Sequence, residues 1–239
     1  MPQNLDPSYA RVLQFQVQGA TLGGVFFLND STLPTILLFH GNGELAFEYQ
    51  YFTSMFFECG VNLAVVDYRG YGFSTGRPAF SQLFTDALPI YEQFTSWINT
   101  QDLNPSLFLL GRSLGSICAA EIGSHNPPTL RGVIFESGIG SAHKILTDLF
   151  GVNIPDDLLP AFRQFSNDHK ASQIRKPVLI IHGTKDSIVP SEHAQTLFDA
   201  LPSDIDKKLV YIRGAGHNDI FNFHTEYFTP LKQFIMTNK

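Results

Sequence analysis

The chain has 239 residues, 44% of them hydrophobic and 16% charged, which fits one large α/β domain or two small ones and is too apolar for a disordered chain. Its net charge of −6, with no Lys/Arg cluster, argues against nucleic acid or an anionic membrane surface as partner. Two cysteines, Cys59 and Cys118, cannot build a disulfide framework; both fall in apparent helices, and buried free thiols in a reducing compartment are expected.

Met1 to Pro7 carries no basic head and no apolar run, so no signal peptide is expected. No apolar stretch approaches the roughly 18 residues of a membrane span. A cytoplasmic protein is the expectation.

Val12 to Val17 and Thr21 to Leu28 read as an antiparallel hairpin at a sheet edge. Thr35-Ile36-Leu37-Leu38-Phe39 is a buried strand ending in His40-Gly41-Asn42-Gly43-Glu44. A helix is predicted over Leu45 to Phe57, and a buried strand over Asn62 to Tyr68. Another helix lies within Ser81 to Asn99, where Pro89 predicts a kink or a late start.

Leu107 to Leu110 is four apolar residues, a strand buried on both faces. Gly111-Arg112-Ser113-Leu114-Gly115 follows, and then a helical stretch from Ile117. A serine between two glycines on a strand-to-helix turn is the context of a nucleophile elbow. The glycines remove side chains where strand and helix approach closely.

Gly132 to Glu136 is the next strand, and then the strand–helix rhythm breaks. Residues 138–176 hold two short helical patterns, Ala142–Phe150 and Asp157–Phe165, and read as a small helical cap inserted into one domain spanning 1–239. Val178 to Ile181, a helix from Ser191 to Ala200, Leu209 to Arg213 and a helix from Ile220 to Met236 complete the pattern. Such alternation predicts a mostly parallel twisted sheet with helices on both faces. Ligands then sit beyond the carboxyl ends of the strands, where every polar cluster of this chain falls.

Ser113 needs a base, and of eight histidines His217 is best placed, in a Gly-Ala-Gly-His-Asn loop after the last strand. His40 and His182 end strands but precede glycines, which suits packing or backbone roles. His125, His143, His169, His193 and His224 fall on helices or polar loops and read as solvated. Asp186, just past a strand end, is the acid that would orient His217. Glu136 is the rival acid, and Asp67 is expected to tie down Arg69 or the local backbone.

The oxyanion requires two donors. The N–H of Leu114 is one, and that of Asn42 the other, with Gly43 next in line. No His-Glu-x-x-His spacing predicts a metal, and no Gly-Lys-Ser/Thr or Gly-x-Gly-x-x-Gly predicts a cofactor.

These segments, with the order Ser113, Asp186, His217, resemble the α/β-hydrolase superfamily over nearly the whole chain. They look most like its serine-aminopeptidase and monoacylglycerol-lipase-like branch, whose members include carboxylesterases, lipases, thioesterases and some peptidases. Glu44 departs from the small or amide residue common there, which bears on the second oxyanion donor. The resemblance implies a serine hydrolase of small-molecule esters or thioesters of small to medium acyl size. A peptidase trimming N-terminal residues, with Asp156, Asp157 or Asp168 binding the amine, is the alternative, and a non-catalytic binding protein the third. Phe150, Phe162, Phe165, Phe221 and Phe223 are candidates for an apolar acyl pocket. Oligomeric state is not legible.

Overall fold

A computed structural model describes residues 5–150, 155, 157, 163 and 165–239. Eight strands form one sheet: β1 (Ala10–Val17), β2 (Ala20–Phe27), β3 (Thr35–Phe39), β4 (Asn62–Val66), β5 (Leu107–Arg112), β6 (Leu130–Glu136), β7 (Val178–Gly183) and β8 (Lys207–Ile212). Their order is β1-β2-β4-β3-β5-β6-β7-β8. The β1–β2 hairpin is antiparallel, β2 runs antiparallel to β4, and the remaining neighbours are parallel.

The central strands alternate their side chains between two apolar layers, the period of a pleated strand. Leu37, Phe39, Leu109, Phe135 and Ile180 pack toward α2 (Phe80–Thr100), α3 (Ser116–Ser124) and α6 (Glu192–Ala200). Ile36, Leu38, Phe108, Leu110, Ile134 and Ile181 pack on the other side toward α1 (Thr53–Phe57) and α7 (His224–Asn238). Both faces are thereby covered, which is why these strands read as continuous apolar runs.

The chain leaves β3 to form β4 on one side and returns to place β5 on the other. The winding direction therefore reverses between β3 and β5, where open α/β sheets leave a crevice at their carboxyl ends. Residues 40–44 and Ser113 meet at that crevice.

Three expectations change. The single helix over Leu45–Phe57 is a 3-10 turn, Ala46–Tyr51, followed by the short α1. The 3-10 turn begins where Asp67 Oδ1 accepts the N–H of Ala46 at 2.8 Å. Pro89 does not delay α2, which starts at Phe80; Leu83, Ala87, Ile90 and Phe94, buried on either side of it, hold the helix to the sheet. Cys59 lies in the turn after α1 rather than in a helix, and both thiols are free and buried.

Between β6 and β7 the described residues hold α4 (Ala142–Phe150) and α5 (Asn167–Ala171). Most of the Asp157–Phe165 pattern, with Asp156, Phe162 and the side chain of Phe150, lies outside the described residues. No described helix is long and apolar enough to cross a membrane.

Candidate active site

Ser113 takes φ +50°, a left-handed conformation that is uncommon for a residue with a side chain. Strain of this kind persists only where the surroundings enforce it. Here β5 must turn within a 3-10 step, Ser113–Gly115, into α3. A Cβ on Gly111 would stand 2.6 Å from Ser116 Cα and 2.7 Å from Ala119 Cβ. One on Gly115 would fall on the Phe39 carbonyl oxygen. The close approach expected of these two glycines is therefore present on both sides of the serine.

Ser113 Oγ lies 2.9 Å from His217 Nε2, and His217 Nδ1 lies 2.7 Å from Asp186 Oδ2. Each of the three residues is 8% exposed. The loop after β7 supplies Asp186 as a turn: its Oδ1 accepts the N–H groups of Ile188 (3.0 Å) and Val189 (2.8 Å). That leaves Oδ2 for the imidazole. Burial alone would raise the Asp186 carboxyl, but the neighbouring His182 and His217 imidazoles and the Val189 N–H outweigh it and hold it well below the usual carboxylate range. An anionic Asp186 fixes the tautomer: Nδ1 donates to it, and Nε2 is left to accept the serine hydroxyl.

The remaining histidines fall out by their partners. His40 Nδ1 is 2.8 Å from the Gly41 carbonyl, and Tyr68 OH donates to the His40 carbonyl at 2.6 Å. His182 Nε2 donates to the Val189 carbonyl at 2.8 Å and lies 3.4 Å from Asp186 Oδ2. Both fill the packing and backbone roles expected of them. His193 does not: it is buried, and its Nδ1 accepts the N–H of Gly140 at 3.0 Å. Its helix lies against the loop after β6 rather than facing water.

Glu136 is bonded to Arg112 and Tyr227 and leaves His217 Nδ1 to Asp186. It is fully buried at the end of β6, bonded to Arg112 Nη1, with Tyr227 OH donating to its other oxygen at 3.3 Å. Burial pushes its carboxyl up, partly offset by the Arg112 charge. Asp67 holds the Ala46 backbone, while Arg69 pairs instead with Asp86, two bonds of 2.7 and 2.8 Å.

Arg112 itself was not singled out by the sequence. Its Nε donates to Glu44 Oε1 at 2.6 Å, and its Nη2 donates to the His217 carbonyl at 3.1 Å. Glu44, the departure noted above, also accepts Tyr49 OH (2.7 Å) and the Gly41 N–H (3.1 Å) through Oε2. The available signal was a charged residue closing an apolar strand: where such a residue is buried it must find countercharges.

Ser113, Leu114 and Asn42 line one cavity of about 620 Å³. The rest of its wall is mainly apolar, including Phe80, Phe84, Ile145 and Phe165. Tyr71 OH donates to Asn42 Oδ1 at 2.5 Å and orients that side chain. Of the phenylalanines expected at a pocket, Phe165 lines it. Phe221 packs with Phe52 and Tyr227 in the layer on the α7 side, and Phe223 joins the same layer, so neither lines the cavity. Among the described residues no three His, Cys, Asp or Glu side chains are grouped to hold a metal ion.

The family model of serine aminopeptidases, S33, matches residues 30–168 and 142–222. Alpha/beta hydrolase domain-containing protein 17C of Xenopus tropicalis is 28% identical over 221 residues, 91% of this chain and 67% of the relative. Protein 17B of Homo sapiens is 29% identical over 203 residues, 84% of this chain and 66% of the relative. The chain thus spans about two thirds of the length of these relatives. The Pyrococcus furiosus esterase Pf2001 superposes with a TM-score of 0.75 at 18% identity, covering 98% of this chain and 96% of that one. Est1E of Butyrivibrio proteoclasticus, solved with ferulic acid, gives 0.76 at 19% identity over 95% and 98%. These two likenesses establish the fold. With the family model covering most of its length, the chain belongs to the serine aminopeptidase S33 family of α/β-hydrolases.

Proposed function

We propose that the protein is a serine hydrolase of carboxylic esters or thioesters of small to medium acyl size, with Ser113 as nucleophile, His217 as base and Asp186 as the orienting acid. The observation that carries this reading is the unbroken relay from Asp186 through His217 to Ser113, opening on an apolar cavity. In the first step His217 Nε2 takes the Ser113 proton as Oγ attacks the carbonyl carbon. The N–H groups of Leu114 and Asn42 hold the oxyanion, with Gly43 the alternative second donor. Collapse of the tetrahedral species expels the alcohol or thiol, which takes the proton from His217. Water then releases the acyl group by the same route. Ile139, Ala142, Ile145 and Phe165, from the segment proposed as a cap, line the chamber and support that reading.

The peptidase reading finds less support. A free α-amine bound in a dry cavity needs a carboxylate beside it. No charged side chain lines this one among the described residues. Asp168 is occupied at the start of α5, where its Oδ1 accepts the His169 N–H at 2.7 Å, and Asp157 is exposed.

Turnover of short p-nitrophenyl esters and labelling by a fluorophosphonate test the proposal. Ser113→Ala abolishes both if Ser113 is the nucleophile; unchanged turnover rejects it. Alanine and proline anilides of matched size separate esterase from peptidase activity.

A further inference from the structure

We infer that Arg112 is a positioning residue, whose guanidinium sets the oxyanion loop and the His217 loop in register with Ser113. The inference rests on the serine-hydrolase reading above and adds to it a residue outside the relay.

Arg112 is the last residue of β5 and immediately precedes Ser113. Its planar fork reaches three other strand ends at once. Toward the loop after β3, Nε bonds Glu44 Oε1 at 2.6 Å. At the end of β6, Nη1 bonds Glu136. In the loop after β8, Nη2 donates to the His217 carbonyl at 3.1 Å and lies 3.4 Å from Asn218 Oδ1. The Arg112 side chain is buried, and its bonds to Glu136 and the His217 carbonyl lie out of water, where they are little screened.

Each contact continues into its own element. Glu44 passes the connection to the Gly41 N–H and to Tyr49, and so fixes the turn that carries Asn42. Glu136 is braced by Tyr227 of α7. The bond to residue 217 is made to the backbone of the base itself. One cation therefore spans the proposed oxyanion loop, the nucleophile turn and the base. These three segments are far apart in sequence and lie in loops, which are by default the more mobile parts of a fold.

A buried cluster of two carboxylates and one guanidinium is a poor source of stability, because its desolvation cost rivals its attraction. What it provides is direction, since the guanidinium presents its donors in one rigid plane. A lysine keeps the charge and loses the plane. A misplacement of about 1 Å between reacting groups costs on the order of 10²-fold in rate.

The test compares the full chain with Arg112→Lys and Glu44→Gln, using p-nitrophenyl ester kinetics, fluorophosphonate labelling rates and thermal unfolding. For Arg112→Lys, kcat falls roughly 10²-fold with KM within about twofold, and labelling slows in parallel. For Glu44→Gln, which leaves Arg112 paired with Glu136, kcat falls about tenfold, again with KM held. A folded Arg112→Lys with parental kcat overturns the inference, as does a rise in KM alone. Should Arg112→Lys fail to fold, Glu44→Gln decides: an unchanged kcat overturns the inference, and a loss confined to kcat supports it. An unlabelled, inactive parent chain rejects the serine-hydrolase reading itself, a result distinct from each of these.

Discussion

Asn167 donates its side-chain amide to Ser116 Oγ across 3.1 Å, and the same hydroxyl donates to the carbonyl of Ser113 at 2.6 Å. Ser116 also accepts the N–H of Ile139 at 3.0 Å, so one donor and two acceptor positions are all used. The segment after β6 is thereby tied to the nucleophile turn through a single buried oxygen. Within that segment, Ser166 Oγ accepts the Ala142 N–H at 2.9 Å and links the start of α4 to the start of α5.

Asn167→Ala removes the bonds from Asn167 to Ser116 Oγ and to the Ile139 carbonyl at 2.7 Å, while the bond from the Ile139 N–H to Ser116 Oγ stays. Leaving the Ile139 carbonyl without this donor costs about 1–3 kcal/mol. The loss is expected to be local. Hydrogen exchange should quicken in peptides from 138–147 and 165–171 while the central strands keep their protection. Equal quickening across the sheet would show that Asn167 contributes only to global stability.

Acid stability isolates Asp186. Its carboxyl is held below its unfolded value of about 3.9, so in the folded chain it binds its proton later than in the unfolded chain. The stability it contributes is present above about pH 4 and is lost as pH falls through the lower folded value. Asp186→Asn removes that dependence. Between neutrality and about pH 3 the thermal midpoint of the parent should therefore fall more steeply than that of the variant. Glu136, shifted upward, has the opposite sign and is common to both proteins, so the difference between them cancels it. Parallel curves would contradict the assignment of a depressed Asp186. In the same variant the imidazole loses its anionic partner, and kcat is expected to drop about 10⁴-fold.

The elbow gives a steric prediction. Gly115→Ala drives a Cβ into the Phe39 carbonyl, which is backbone of a central buried strand and cannot turn aside. Gly43→Ala meets no atom within 4 Å, but its φ of +82° still strains a side chain. Gly115→Ala should cost at least about 1–3 kcal/mol and most of the activity, by pushing β3 and α3 apart. Gly43→Ala should cost about 1 kcal/mol and act mainly on kcat, through the loop that carries Asn42. Equal thermal midpoints for the two variants would refute the ranking.

Sequence was informative where a side chain's neighbours along the chain decide its fate. The strands from Thr35, Leu107 and Val178 are covered on both faces, so their apolar runs needed no partner to be read. That Ser113, Asp186 and His217 meet was legible because the first two sit just past such strands, His217 follows the last strand, and a parallel sheet brings those ends to one rim. The pairing of Arg112 with Glu44 and Glu136 was not. A charged residue at a strand end looks solvent-facing until its countercharges, 68 and 24 residues away, are known. His193 was misplaced for the same reason, since its partners Gly140 and Ser141 lie 53 and 52 residues off. The helix over Leu45–Phe57 divides into a 3-10 turn and the short α1, and the group that anchors its start, the Asp67 carboxylate on the Ala46 N–H, lies 21 residues away.

Phe80 is expected to set the length of the proposed acyl chamber. It opens α2 and forms part of the wall between two cavities, the one at Ser113 of about 620 Å³ and a second of about 210 Å³ lined by Leu22, Leu83, Ile90 and Cys118, with the Arg69–Asp86 pair also in its wall. Leu114 is the other residue common to both linings. Since the Leu114 backbone is proposed to serve the oxyanion, Phe80 is the side chain that can be cut back without touching the relay. Its ring is 53% exposed and meets Phe84 edge-on at 5.5 Å, so truncation removes little core packing. Phe80→Ala joins the two chambers. Each methylene that newly gains burial is worth about 0.8 kcal/mol, or about fourfold in kcat/KM. A series of p-nitrophenyl esters from acetate to palmitate should therefore keep its kcat/KM for the shortest members and shift its optimum toward longer chains in the variant. A uniform loss along the series would place Phe80 in the fold of α2 and not in the choice of substrate.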